Sequence, residues 1–467
     1  MRRSKASIAF VACCVCVFAV VCAFVCAPSA WARRAPSPGD SATLALPLDL
    51  HPRLVEAHVH APLLVSSADD GLPAGRTVIG GDARFASSVI QGVSRDDDGK
   101  RWRVRAGAHT AIVAESIEAC LQGRFASWPA QVLRAAGVTV AVTVSQEAVL
   151  LAFSSAVGPV AELLSGCLAR KGDSPTGPYA LAGPGMLAWR SGGLDAPPLL
   201  NKIDLKPLGD RASLTLGGAD ARQDGAILLA PFPDVVLLLQ TPGVRQRDPL
   251  GLTDARTGPR GFRTALRADL LAAAYAQGRG APTEAILPPG VAPARPLPPV
   301  EGGEQTPLAL TQLPAGAPRL PVRRALGDPL LDALAERLAV LLRARGFLLE
   351  VKKTSSDSTE EGLSLVRWRP PTTDAALALL FLAGQQPELL DDPGVKKALS
   401  DRRLLSPDPA ARLAAALDAE RAFIASGFVV PLLSVDRWFI VDPDLRGVVV
   451  RPDGIPLLDG AWWAGAR

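Results

Sequence analysis

The residues able to do acid-base or metal chemistry are few and badly placed for it. All four histidines of the 467-residue chain, His51, His58, His60 and His109, fall in its first quarter, so the rest has no imidazole base or ligand. A hydrolase needs a nucleophile with a base and an orienting acid, or a metal cluster instead. As a strand, His58-Val59-His60 would put two imidazoles on one face for a metal, but no Cys, His or Asp-Glu cluster stands nearby. Solvated or core histidines are the plainer reading. The chain has no G-x-S-x-G elbow, P-loop or dinucleotide G-x-G-x-x-G. Asp96-Asp97-Asp98 starts like a calcium loop, yet the later acids fall out of step and Gly99 makes it a hairpin turn. The expectation is a protein that is not an enzyme, with no cofactor and no metal.

Five of the seven cysteines (Cys13, Cys14, Cys16, Cys22, Cys26) lie in the apolar run Ala6 to Ala27, which follows Arg2, Arg3 and Lys5 and precedes Ala30-Trp31-Ala32. A basic start, an apolar stretch and a small-x-small triplet make a secretory signal over residues 1–32. The run is also long enough to span a bilayer, so an uncleaved N-terminal anchor is the alternative. No later stretch is, which places the body in the periplasm. There Cys120 and Cys167 either form a disulfide or remain two buried thiols. Arg2, Arg3 and Lys5 carry most of the net charge of +4, and the 21% of charged residues form no single-sign block. A near-neutral body of this kind is no nucleic-acid binder and no disordered tail.

The elements that would position a site alternate between helix and strand without a fixed repeat, which predicts an α/β protein with mixed sheets. Strands are expected at 43–48, 101–105, 138–144 and 149–153, and helices at 111–121, 158–168 and 259–277. Ten prolines mark 288–321 as an extended connector. Asp328, Pro329 and a leucine stripe ending at Gly346 then spell a capped helix, followed at once by a strand at 347–351. Asp374 opens another apolar helix. A helix at 408–426, Gly427 and a strand at 428–435 repeat the helix-Gly-strand pattern, as αβ units on a sheet do.

The order of several short segments resembles the extracellular solute-binding proteins of family 5, receptors for dipeptides, oligopeptides and nickel in bacterial ABC importers. Pro175-Thr176-Gly177-Pro178-Tyr179 is similar to that family's G-T-G-P-Y/F turn. Asp248-Pro249-Leu250, Thr253 to Arg256, Phe262 to Leu266, Gly280-Ala281 and Ile286-Leu287-Pro288-Pro289 follow in the family's order. So do the Gly346 unit and a closing Arg412, Glu420 and Val430-Pro431-Leu432. The resemblance, over residues 41 to 463, implies a two-lobe periplasmic-binding-protein-like fold of type II, cluster C-like, with a cleft closed by a hinge. Its implied organisation is a signal (1–32), a flexible linker (33–42), lobe I (43–232), lobe II (233–430, with the connector 288–321) and a return to lobe I (431–467).

Arg367-Trp368-Arg369 to Asp374 is similar to the family's W-x-x-D-Y-x-D-P stretch, in which the Trp lines the ligand cavity and the first Asp holds a peptide's amino group. That first Asp is missing here. The resemblance points to Trp368 and Asp374 as ligand-binding residues. Arg367 and Arg369, two apart and therefore on one strand face, would favour a ligand anion. Trp128 serves as the contrasting core Trp. The implied role is a monomeric periplasmic receptor that passes a peptide-like or other small solute to ABC permease subunits in the inner membrane. The alternatives are a degenerate or anchored bilobal scaffold without transport and, with least support, a secreted hydrolase.

Overall fold

The computed structural model describes residues 41–46, 51–66, 77–79, 82–96, 98–124, 127–172, 174–194, 198, 200–207, 226–229, 232–252, 262–263, 265–275, 280–293, 317–324, 328–353, 361–442, 444–458 and 461–463. The expected signal (1–32), most of the linker and residues 294–316 of the connector lie outside them. The helices are α1 (His51–Val59), α2 (Thr110–Leu121), α3 (Trp128–Ala135), α4 (Val160–Ser165), α5 (Pro242–Arg247), α6 (Ala268–Tyr275), α7 (Pro329–Ala344), α8 (Ala375–Gln385), α9 (Pro393–Leu399) and α10 (Pro409–Ser426).

A first mixed sheet runs in the order Ala226–Leu229 (β12), Trp438–Val441 (β19), Ser41–Leu46 (β1), Lys202–Pro207 (β11), Met186–Trp189 (β10) and Tyr179–Gly183 (β9). Only β1 and β11 are parallel in it. A second runs Gly280–Pro282 (β14), Val429–Val435 (β18), Asp234–Gln240 (β13), Leu363–Trp368 (β17), Arg319–Arg324 (β15) and Leu348–Lys353 (β16). There β15 is parallel to both neighbours and the remaining pairs are antiparallel. A four-stranded antiparallel sheet, Gly92–Arg95 (β5), Arg101–Arg105 (β6), Ala148–Phe153 (β8) and Val140–Ser145 (β7), carries α2. Val65–Ser66 (β2), Asp82–Ser87 (β4) and Thr77–Ile79 (β3) form a small third layer.

The central strand β13 is buried at every residue, as a strand covered on both faces must be. Its alternation divides the core: Val236 and Leu238 face the leucines of α7, whereas Val235, Leu237 and Leu239 face α8 and α10. Helix α8 is apolar all round, and all nine residues from Ala375 to Ala383 are buried between α3 and α10. Gly384 at its end passes so close to α3 that a Cβ there would come within 2.7 Å of the Gln131 carbonyl oxygen. The apolar core beneath the four-stranded sheet therefore continues without a break into the α8–α10 side of the second sheet.

The chain passes from β12 in the first sheet to β13 in the second, and returns from β18 to β19. Because β13 pairs with β18 and β12 with β19, the two crossings connect neighbouring strands of one sheet to neighbouring strands of the other. The return thus falls after Val435, beyond the boundary at 430 expected from sequence, because all of β18 stays hydrogen-bonded to β13. Three other expectations shift. The helix expected at 259–277 is broken at Arg267, φ 56°, leaving α6 as its regular part. The helix expected at 158–168 shortens to α4. The connector expected to reach 321 gives way at Arg319 to β15.

Cys120, at the end of α2, is bonded to Cys167, two residues past α4, with Cα atoms 5.7 Å apart. The bond closes a loop of sequence separation 47, which the loop-entropy relation values at about 4 kcal/mol. Replacing both cysteines by alanine should lower the denaturation free energy by about 3–4 kcal/mol, read from chemical unfolding with and without reductant. Equal stability of the variant and the oxidised protein would contradict this.

Candidate functional site

A cavity of about 1240 Å³ lies against strands β13 and β17 of the second sheet. On one side α1 contributes Arg53 and Glu56, α3 contributes Trp128, Gln131 and Arg134, and the C-terminal segment Arg451 and Asp453. On the other, Leu239 of β13, Val366 to Trp368 of β17, the adjoining Arg369 and the end of α8 complete the wall.

Trp368, the last residue of β17, lies opposite Val235 and is only 4% exposed; it lines the cavity. Trp128, taken from sequence as a core residue for contrast, lines the same cavity from the other side and is 7% exposed. Neither indole N–H has an acceptor. The one sequence cue to Trp128 is its place at a helix start, after the Gly123 turn and beside Pro129, where a side chain can face a cleft.

Both predicted arginines reach the cavity wall, but each is held by an internal carboxylate. Arg369 forks onto Asp234, Nε to Oδ1 at 2.9 Å and Nη2 to Oδ2 at 3.1 Å. Arg367 forks onto Asp328, which also caps α7 by accepting from the Leu330 and Leu331 amides. The shared ligand fork expected from their spacing does not form: β17 ends at Trp368, and the two guanidiniums turn to different acids. Asp374 is not on the wall. It caps α8, accepting from the Ala376 and Leu377 amides at 3.1 Å, and takes a 2.7 Å hydrogen bond from Arg412 Nε. Glu420 likewise holds the Ile286 and Leu287 amides, at 2.7 and 2.9 Å, so these motif residues brace one another.

Asp234 stands where the chain enters β13, and Arg437 where it leaves β18 for the first sheet; the side chains of both are 3% exposed. Arg437 Nη2 reaches Asp234 at 3.3 Å and its Nη1 donates to the Asp453 carbonyl. The two crossings are therefore tied by one carboxylate between two guanidiniums. Burial pushes the Asp234 carboxyl up, against the pull of Arg369 and Arg367.

The histidine pair lies on no strand. His58, in α1, donates from Nδ1 to the Leu54 carbonyl at 2.9 Å, and its Nε2 accepts from the Leu458 amide at 3.0 Å. A carbonyl on one nitrogen and an N–H on the other fix a neutral ring protonated at Nδ1. No group of three His, Cys, Asp or Glu able to hold a metal occurs among the described residues. His60 is 9% exposed, and burial followed by the charge of Arg170 lowers its pKa to about 4. A histidine that protonates near 6.5 when unfolded but near 4 when folded stabilises the fold above pH 6.5, and this is lost as pH falls toward 4. The loss should reach about 3 kcal/mol, and His60→Gln should flatten the pH dependence of unfolding across that window. An unchanged slope in the variant would contradict it.

No protein-family model matches the sequence, and no curated protein matches it significantly. Solved structures do. The dipeptide-binding protein of Pseudoalteromonas sp., crystallised with Met-Leu, aligns at 14% identity and TM-score 0.62 over 91% of this chain and all of that one. NikA of Staphylococcus aureus, with Ni(L-His)2, gives 11%, 0.62, 91% and 100%. The oligopeptide-binding protein AppA of Bacillus subtilis, with a nonapeptide, gives 12%, 0.63, 92% and 100%. The fold is that of the two-lobe periplasmic binding proteins. The two large sheets are joined by two connections, from β12 to β13 and from β18 to β19.

Proposed function

We propose that the protein is a receptor that binds a small solute between its two lobes and presents it, as a periplasmic monomer, to the permease of an ABC importer. The observation that carries this is the cavity, walled by Trp128 and Arg53 from α3 and α1 on one side and by Trp368 and Arg367 from β17 on the other, close to where β13 is entered at Asp234. Capture by closure needs a cleft and a hinge, not a nucleophile. The relatives in fold are named for peptides and nickel complexes; the missing first Asp of the resemblance argues against holding a peptide's amino group in their manner. Among the described residues no helix is long and apolar enough to cross a membrane.

A thermal-shift screen of the purified protein against peptides, amino acids, sugars, organic acids, anions and metal chelates tests the reading. A solute at a hundred times its dissociation constant should stabilise by about 2.7 kcal/mol. No response from any class would overturn it.

The bridging core supports a second reading, a scaffold that no longer opens. Besides the α3–α8 contact, Glu162 of α4 accepts from Thr372 and Thr373, and the Gly158 amide donates to Leu405. On that reading the screen is silent and the two lobes keep one spacing.

A further inference from the structure

We infer that the cavity selects acidic solutes, and that Arg53 and Arg134, not Arg367 and Arg369, supply the selecting charge; the inference rests on the receptor reading above. Six arginines line the cavity, Arg53, Arg134, Arg170, Arg367, Arg369 and Arg451, against two acids, Glu56 and Asp453. Four of the six are answered inside the protein: Arg170 by Glu56, Arg367 by Asp328, Arg369 by Asp234 and Arg451 by Asp453. Arg437, behind the wall, shares Asp234 with Arg369 and adds a further positive charge. Arg53 of α1 and Arg134 of α3 form no ion pair within the described residues and stand exposed at the cavity. The charge that a solute meets is therefore positive, although the chain without its basic N-terminus is nearly neutral. A cleft with low-dielectric walls focuses such a field on its contents.

The neutral groups supply the apolar part of the wall. Trp128 and Trp368 line the cavity and are both more than nine-tenths buried, and their indole N–H groups are enclosed by protein with no acceptor. The cavity thus joins arginine donors to two flat indoles for an apolar body. The class that fits is an organic solute bearing a carboxylate or phosphate on a flat apolar frame. An ammonium group would meet no free carboxylate, since Glu56 and Asp453 are both paired.

The test is a tryptophan-fluorescence and calorimetric titration of the full protein with matched probes: 2-naphthoate, 2-naphthyl phosphate, 2-naphthamide and 2-naphthylmethylamine. A second set uses the tripeptide Glu-Trp-Glu and Gln-Trp-Gln, its counterpart with neutral side chains, both blocked at their termini by acetyl and amide groups. The acid of a set should bind at least tenfold more tightly than its amide, and the carboxylate and phosphate arms show which oxyanion is preferred. The double variant R53Q/R134Q should bring acid and amide within about threefold while leaving the unfolding midpoint unchanged. Equal or tighter binding of the amide or amine, or an acid preference that survives R53Q/R134Q, would overturn the inference. Silence of the acids in a protein that answers neutral or cationic solutes in the broad screen overturns it alone. Silence toward every class overturns the receptor reading with it.

Discussion

Asp234→Ala should destabilise the protein by about 3–5 kcal/mol, the usual cost of removing one partner from a buried ion cluster. The carboxylate is 3% exposed, and it is the acid that Arg369 and Arg437 share. Without it the two buried guanidiniums lose the carboxylate they share, and that part of their desolvation is no longer offset. Arg369→Met should cost less, since Arg437 remains 3.3 Å from Asp234. Joint replacement of all three by apolar residues should recover part of the loss, as for other buried ion clusters. Because Asp234 and Arg437 sit on the two crossings, the variant should also loosen the lobes, seen as faster amide exchange in β13 and β18 than in β8. Chemical denaturation of Asp234→Ala that matches the parent would mean that water reaches the cluster.

Trp368→Ala should weaken binding of whichever solute the screen returns at least tenfold, and Trp128→Ala should do the same. Each indole is a large flat wall of the cavity, one from α3 and the other from β17. A solute clamped between lobes loses apolar contact when either wall goes, roughly 1.5–3 kcal/mol per buried side chain, with the lost ring stacking in addition. That is at least a tenfold loss in affinity. Stability controls are needed, because both rings also border the core that α8 shares with α3. Trp102 supplies one: its Nε1 donates to the Val157 carbonyl at 2.9 Å and it is not on the cavity wall. Trp102→Phe should leave the response in place. A variant of Trp128 or Trp368 that folds and still binds normally would remove that ring from the site.

Capped helices and their following strands were readable in the sequence because local chemistry decides them. Asp328-Pro329 opens α7 and Asp408-Pro409 opens α10; Gly346 (φ 86°) and Gly427 (φ 73°) close them in the left-handed conformation that glycine adopts without strain. Other features depend on partners far along the chain, and spacing does not reveal them. Nothing in Arg367-Trp368-Arg369 says that the two guanidiniums find Asp328 and Asp234, the latter 135 residues away. The alternation of His58 and His60 suits a strand as well as it suits the end of α1, and tertiary packing decided for the helix. Trp128 stands in an apolar helix start and reads as core until the opposite wall of the cavity is brought over it. Arg53 and Arg134 carried no sequence signal, since a cation becomes notable only once every neighbouring cation has found an acid.

The central claim is that a solute is held by closure of one lobe on the other, and the distance between the lobes tests it most directly. Leu181 on β9 and Val351 on β16 are 58% and 50% exposed and belong to the first and second sheets. Spin labels on Leu181→Cys and Val351→Cys, with the Cys120–Cys167 bond intact, report that distance by pulsed electron resonance. Addition of the solute found by screening should convert a broad, longer distribution into a narrower, shorter one. An identical distribution with and without bound solute would contradict capture by closure.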